Sequence, residues 1–407
     1  MKINKYFPFA VIYFFVNSLG LPMGLTYMTL LAPFLYYWVL VTRGREVLLP
    51  FFISMIPFLL IQIGEGVDLK SYFVSVLNLT AVYIFCQAFY TFLKKAGNIE
   101  DIFGKLVAIN FVLCLVAIPL LFTPYYHILW INQFLTEGVN NFRRLKLFTY
   151  EASYYATLFA PLFFFYFLKI SLRQNRKNSW LILIMILLPY VLSFSLGVLG
   201  TILLSGILTY CLLFRYLSRK RRIWSLIMLS GGLFFLSAIA FWIFFPDNTL
   251  FVRIGNIFSG RDISGNGRTT DAFLLADRIL HLKNIFFGIG PGQIKIIGAD
   301  IIRNFYSYPS DYDVITIPNV TAETLALFGI AGLTLRFSAE LFFFFYTRVW
   351  QNYYRMLLFI FIFLYQFTGS FITNLAEYVI WILAFTNVFP EFDVKPRITP
   401  PKIKSLK

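Results

Sequence analysis

Side chains able to do chemistry collect in one stretch, Phe245 to Thr321, the only long polar run in an otherwise apolar sequence. It carries Arg253, Arg261, Arg268 and Arg278, together with Asp247, Asp262, Asp271, Asp277, Asp300, Asp311 and Asp313. It also holds the glycine cluster Gly288-Ile289-Gly290-Pro291-Gly292 and the aromatics Phe305, Tyr306, Tyr308 and Tyr312. Glycines let backbone amides approach an anion. No Lys-Ser/Thr follows the cluster and no buried strand precedes it, which excludes a nucleotide P-loop, and alone it reads as a turn. Asp311-Tyr312-Asp313 has the spacing of metal–nucleotide sites in soluble enzymes and reads here as a solvated turn. With only His127 and His281, a histidine-rich metal site is excluded. Cys86, Cys114 and Cys211 all sit in apolar runs without metal-ligand spacing, and none can staple the polar stretch.

A second polar segment, about 123–150, contains Tyr125, Tyr126, His127, Trp130, Glu137, Arg143, Arg144 and Lys146. It ends in Tyr150-Glu151-Ala152-Ser153-Tyr154-Tyr155. Glu151 stands where the chain re-enters an apolar run, and a carboxylate is costly there unless it is paired or faces a wet cavity. Glu323 holds the matching place after the long polar stretch, where the plain reading is a carboxylate favoured at a helix N-terminus. Arg336 and Glu340, spaced i,i+4 inside an apolar run, are expected to pair and so reduce a burial cost of ~2.5–3.5 kcal/mol per charge.

The frame that must position these groups is a membrane one. The 407 residues are 59% hydrophobic and 13% charged, with a mean hydropathy of +0.74. A soluble domain carries about 25% charged residues, so this chain could not cover a water-facing surface. In lipid only helices and closed barrels satisfy the backbone, and continuous rather than alternating apolar runs select helices. Spans are expected at about 7–21, 25–41, 47–63, 71–93, 103–122, 151–168, 179–194, 197–214, 223–245, 322–346, 356–373 and 378–390, with bounds uncertain by about 2–4 residues. This is an all-α, polytopic helical membrane protein of about 12 transmembrane helices, read as a single integral domain over 1–407 with no internal repeat. Lys2 and Lys5 precede an uncleaved first helix rather than a signal peptide.

The net charge of +16 follows from topology rather than from nucleic acid. Alternate connections collect the basic residues, among them Arg43, Arg45, Lys94, Lys95, the runs Lys169 to Lys177 and Arg215 to Arg222, and the C-terminal tail. That is the positive-inside bias, and it places both termini in the cytoplasm and the segments 245–321 and 123–150 outside. Within the long external loop, Thr269 or Thr270 can cap an amphipathic helix running to about Lys283, either a lid or a plain packing element.

Taken together, these motifs resemble the Wzy-type O-antigen polymerase family, which is related to the O-antigen ligases. The resemblance rests on Gly267-Arg268-Thr269, the amphipathic helix, Phe287-Gly288-Ile289-Gly290-Pro291-Gly292, and Pro318-Asn319-Val320-Thr321-Ala322-Glu323 opening a span that reads Leu327-Phe328-Gly329-Ile330-Ala331-Gly332. Tyr150-Glu151-Ala152-Ser153-Tyr154-Tyr155 is similar to the Glu-Pro-Ser-Tyr-like segment of many such polymerases. The ligases open the span after the loop with His-Asn; here Pro318 replaces that histidine and only Asn319 remains, which argues against the ligase branch.

The resemblance implies a glycosyltransferase type C-like frame and joining of undecaprenyl-pyrophosphate-linked oligosaccharides at the outer face of the bacterial inner membrane. The leaving pyrophosphate would be bound by Arg143, Arg144, Arg261, Arg268 and Arg278, since arginine suits bidentate contacts. Glu151 is the expected general base, its pKa raised by partial desolvation, with Glu323 as the alternative. Tyr154, Tyr306, Tyr308 and Asn319 would contact sugars. The implied partners are the lipid-linked substrates, membrane lipids and a chain-length regulator protein; no metal, cofactor or nucleic acid is expected. The competing readings are an O-antigen ligase and, outside the enzymes, a lipid-linked oligosaccharide flippase.

Overall fold

The computed structural model describes residues 4–16, 27–44, 46–133, 142–172, 179–217, 249–309 and 315–394. The fold is mostly helical. In order, the helices are α1 (Phe7–Val16), α2 (Tyr27–Arg43), α3 (Leu49–Gly64), α4 (Leu69–Lys95), α5 (Ile99–Leu120), α6 (Ala152–Ser171), α7 (Ser179–Ser193) and α8 (Leu196–Leu217). The long polar stretch contributes α9 (Thr249–Phe258), α10 (Ile263–Arg268), α11 (Thr270–Leu280) and α12 (Ala299–Tyr306), and α13 (Val320–Tyr346), α14 (Tyr353–Tyr365) and α15 (Leu375–Phe385) follow. Among the described residues, five helices are long and apolar enough to cross a membrane: Leu69–Lys95, Ile99–Leu120, Ala152–Ser171, Leu196–Leu213 and Val320–Gln351. Shorter apolar helices occupy Phe7–Val16, Leu30–Arg43, Leu49–Gly64, Ser179–Ser193, Tyr353–Tyr365 and Leu375–Phe385. The span expected at 223–245, the motif Asp311-Tyr312-Asp313 and Glu137 lie outside the described residues.

Short polar side chains set where many of these helices begin. Asp68, Asn98, Asn319, Asn352 and Asn374 each accept a backbone N–H from the first turn of α4, α5, α13, α14 and α15 at 2.9–3.1 Å. Each such cap stabilises its helix by about 1 kcal/mol. The bundle is organised around α6, whose side chains are buried along almost its whole length. It packs against α7, α8, α14 and α15, with Phe159, Phe164 and Phe165 fully enclosed. Between α5 and α6 lies a small antiparallel hairpin that the sequence reading did not anticipate, β1 (Trp130–Gln133) and β2 (Phe142–Leu145), paired from Trp130↔Leu145 to Gln133↔Phe142. Trp130 Nε1 pins it to the end of α5 by donating to the Ala117 carbonyl at 2.8 Å.

The glycine cluster has a structural use. Helix α13 is broken at Gly329, whose φ of 65° and ψ of −165° are non-helical. A break inside a span strands backbone groups that lipid cannot satisfy. The polar stretch returns to fill them. Ile289 and Gly290 donate to the Ala326 and Leu327 carbonyls, each at 3.0 Å, while Ile330 and Ala331 donate to Ile285 and Phe286 at 3.1 and 2.9 Å. Gly288 has φ 73°, and a Cβ there would lie 2.5 Å from the Leu327 carbonyl carbon and 2.6 Å from the Gly329 nitrogen. Buried Gln62 of α3 reinforces the splice, its amide donating to the Phe287 and Leu327 carbonyls while its oxygen accepts from Tyr72. These amides are therefore spent on α13 rather than offered to an anion.

The amphipathic helix exists, but ends at Leu280 rather than near Lys283. Its apolar face, Ala272, Leu275, Ala276 and Ile279, is fully buried in a cluster with Ala322, Ala326 and Leu327 of α13. It caps that helix. Thr269 precedes it without capping it, because the hydroxyl donates backwards to the Gly265 carbonyl at 2.9 Å.

Candidate active site at the mouth of helix α6

Glu151 sits at the N-cap of α6, extended and just outside the helix. Arg268 closes α10. The two form an ion pair between Arg268 Nη2 and Glu151 Oε1, and Arg268 Nη1 donates to Ser153 Oγ at 3.2 Å. Asn319, fully buried at the head of α13, holds the arginine's backbone by donating to its carbonyl at 2.8 Å and to the Phe367 carbonyl at 2.7 Å. Around this pair lies a small recess lined by Tyr150, Glu151, Ser153, Tyr154, Arg268, Pro318, Tyr365, Ser370, Phe371 and Asn374. Tyr150 packs on Tyr154 with ring centroids 4.8 Å apart and on Phe371 at 6.1 Å.

The electrostatics differ from the expectation of a raised Glu151 pKa. Burial does push the carboxyl up, but the Arg268 guanidinium, helped by Ser153 and the more distant Arg144, holds it below the usual glutamate value. Glu151 is thus an ionised, paired carboxylate. A guanidinium has five N–H donors; with Glu151 and Ser153 as its side-chain partners, Arg268 retains donors for an anion entering the recess.

The other residues singled out from the sequence are dispersed. Arg144 is buried, with Nε donating to the Ser193 carbonyl at 2.9 Å and Nη1 to Gln133 Oε1 at 2.6 Å, so it fastens the hairpin to the end of α7. Arg143 is exposed over the Tyr126 ring, 4.0 Å from its centroid, and donates to the Leu121 carbonyl. Arg278 is exposed over Phe305, and Arg261 is exposed beside the end of α9. Tyr306 and Tyr308 stack on each other at 5.2 Å and are not among the described lining residues, although the Tyr306 hydroxyl lies close to Gly267. Asn319 is a helix cap and a clamp on Arg268, not a lining group. Tyr154 lines the recess, but Tyr155 does not share its face: its hydroxyl donates to Asn110 Oδ1 at 2.9 Å, because consecutive helical residues diverge by about 100°.

Glu323 is not among the described lining residues. It stands in the first turn of α13, where a carboxylate is favoured, with Asn319 as the cap, and it accepts the Ile372 backbone N–H at 2.7 Å. The expected Arg336–Glu340 pair is present at 3.1 Å and belongs to a larger network. Arg336 also pairs with Glu377, which is fully buried, and donates to Gln366 Oε1 at 2.9 Å. Gln366 donates in turn to Glu340 at 2.9 Å. Glu377 accepts from the Ser370 hydroxyl, which accepts from Asn374 at 2.8 Å. Ser370, with φ 73°, Asn374, Phe371 and Tyr365 are recess residues that sequence reasoning missed. For Asn374 a signal existed, an asparagine directly before an apolar run; for Ser370 none did. Among the described residues no group of three or more His, Cys, Asp or Glu side chains is placed to hold a metal. No protein-family model matches the chain, and no curated protein matches it.

Proposed function

We propose that this protein is a membrane glycosyltransferase that joins undecaprenyl-pyrophosphate-linked oligosaccharides, extending a surface polysaccharide at the outer face of a bacterial inner membrane. The observation that carries the reading is the recess at the mouth of α6. It brings one guanidinium with donors to spare, one ionised carboxylate, several hydroxyls and an aromatic wall together beside the start of a membrane helix. Those groups match a substrate that is part pyrophosphate and part sugar. In the reaction, the bond from the donor's anomeric carbon to the pyrophosphate oxygen breaks and a bond from an acceptor hydroxyl oxygen to that carbon forms. Arg268 stabilises the departing pyrophosphate by charge-assisted hydrogen bonds. Glu151, the only carboxylate among the described lining residues, takes the acceptor's proton. Sharing Arg268 with the incoming phosphate weakens the Arg268–Glu151 pairing, which makes the carboxylate a better base when substrate is bound.

Twelve spans, both termini in the cytoplasm and an external 245–321 complete this reading, supported by the distribution of Lys and Arg between alternate connections. Pro318 lines the recess at the place where the resembling ligases carry histidine, which favours a polymerase over a ligase. The test is the surface-polysaccharide ladder of a deletion strain. A single repeat unit on the acceptor is the expected outcome. Accumulated lipid-linked polymer would indicate a ligase instead, and loss of all external units a flippase.

A further inference from the structure

The lining of the recess is of two kinds. Arg268 and Glu151 are charged; Ser370, Asn374, Phe371 and Tyr150 are neutral. For Ser370 and Asn374 the direction of each hydrogen bond is fixed by their other partners. Ser370 Oγ gives its only proton to Glu377 Oε2 and receives one from Asn374 Nδ2. A hydroxyl has one donor and two acceptor lone pairs. With its proton engaged, the free capacity of Ser370 is that of an acceptor, suited to a ligand O–H. Asn374 Oδ1 accepts the amides of Ala376 and Glu377 at 2.9 and 3.4 Å, so the function it brings to the recess is N–H donation. Glu377 is anchored by Arg336, itself tied to Gln366 and Glu340. Ser370 sits at φ 73°, a conformation costly for a residue with a Cβ and retained only where the surroundings impose it.

We infer that Ser370 and Asn374, beside the Phe371 and Tyr150 rings, form a sugar-hydroxyl subsite whose polarity is set by the buried Glu377–Arg336 pair. The inference rests on the glycosyltransferase reading. Ser370 and Asn374 touch the ligand, the aromatic rings face the apolar side of a pyranose, and Glu377 and Arg336 are positioning residues acting through Ser370. The pair thereby explains why charges are kept within an apolar span, where isolated ones are expensive.

Two variants separate these roles. Ser370→Gly removes the hydroxyl while tolerating the left-handed backbone. Glu377→Gln is isosteric; with its oxygen held by Arg336 it turns an NH2 toward Ser370, which forces the serine proton into the recess. The affinity of the detergent-purified full chain is measured for an undecaprenyl-pyrophosphate-linked repeat unit and for bare undecaprenyl pyrophosphate. Each variant is expected to weaken the sugar-bearing lipid roughly tenfold, the size of one hydrogen bond of this kind, with the bare lipid unchanged within about twofold. The double variant is expected to be no weaker than Ser370→Gly alone, because Glu377 acts only through that hydroxyl. Equal affinity of wild type and Ser370→Gly for the sugar-bearing lipid would overturn the subsite while leaving the enzyme reading standing. Additive losses in the double variant would overturn the positioning role of Glu377. Failure of wild type to bind either lipid would overturn both readings together.

Discussion

Glu151 and Arg268 are 117 positions apart in the chain and meet as an ion pair at the mouth of α6. The pairing defines the recess, since it draws the end of α10 against the N-terminus of a helix that is otherwise buried. It also singles out one of five candidate arginines. Arg268→Ala should lower turnover well over tenfold, as expected for losing a charge-assisted contact of about 2 kcal/mol in the transition state. Arg268→Lys should fail almost as badly, because the fork that serves Glu151, Ser153 and an anion together is lost. Arg143→Ala and Arg278→Ala, on exposed side chains stacked over single rings, should stay within about threefold of wild type. Polymer length and turnover measured side by side decide the ranking, and equal losses at all three positions would remove Arg268 from its special place.

The same pair predicts a stability profile. The Glu151 carboxyl is held below its ordinary value, so its contribution to folding is present above the unfolded glutamate value of about 4.3 and is lost as pH falls through the lower folded value. Thermal unfolding in detergent should therefore show a loss of Tm on acidification below about pH 4 that is smaller in Glu151→Gln. An identical acid limb in the two proteins would mean the pair adds no stability.

The splice of the glycine cluster into α13 can be tested away from the chemistry. At Gly329 the backbone lies where only glycine is comfortable, and at Gly288 an added Cβ meets the backbone of α13. Gly288→Ala or Gly329→Ala should each destabilise by more than about 3 kcal/mol. Gly200→Ala, in α8 with nothing within 4 Å of an added Cβ, should stay within about 0.5 kcal/mol of wild type. Chemical-denaturant midpoints compare the three, and wild-type stability of Gly329→Ala would show the break to be dispensable.

How much of this was legible in the sequence depends on the range of the interaction. The apolar runs, the i,i+4 pairing of Arg336 with Glu340 and the exposed cost of Glu151 were readable, because each follows from local periodicity or from one residue's setting. The Glu151–Arg268 contact was not, since no spacing rule links residues on different elements. Arg144 looked like its neighbour Arg143 in sequence; strand alternation turns one to solvent and the other into the bundle. Ser370 could not be found at all, because its left-handed backbone is imposed by tertiary partners and carries no glycine or asparagine to announce it. The runs read as spans 356–373 and 378–390 are helical only at Tyr353–Tyr365 and Leu375–Phe385, because 366–374 leaves the helix to build the recess wall.

Sidedness is open to a direct experiment. Cysteines placed at Gly265 and Tyr308 should react with a membrane-impermeant maleimide from the outside of intact spheroplasts. Those at Lys177, Arg219 and Lys407, which lie outside the described residues, should react only after permeabilisation. Labelling of position 177 but not 265 from outside would invert the topology and move the recess to the cytoplasmic face.

Glu151 lines the recess beside Arg268, whereas Glu323 is spent on the Ile372 amide. A general base must come within hydrogen-bond reach of the proton it takes, directly or through one water. Glu151→Gln keeps the side chain's size and one acceptor oxygen for Arg268 but cannot take a proton. It should bind lipid-linked substrate within about threefold of wild type and lose turnover by about 10²-fold or more, the range for one general base. Glu151→Asp should lose most activity too, because the carboxylate withdraws by one methylene from both Arg268 and the acceptor hydroxyl. Glu323→Gln should instead act on stability, by weakening the hold on the turn that carries Ser370 and Asn374, with a smaller effect on turnover of the folded fraction. Purified variants assayed on lipid-linked repeat units, with binding and turnover measured separately, distinguish the two carboxylates. Wild-type turnover in Glu151→Gln with loss confined to Glu323→Gln would transfer the role to Glu323. Wild-type turnover in both would leave Arg268 and substrate positioning to carry the reaction without a carboxylate base.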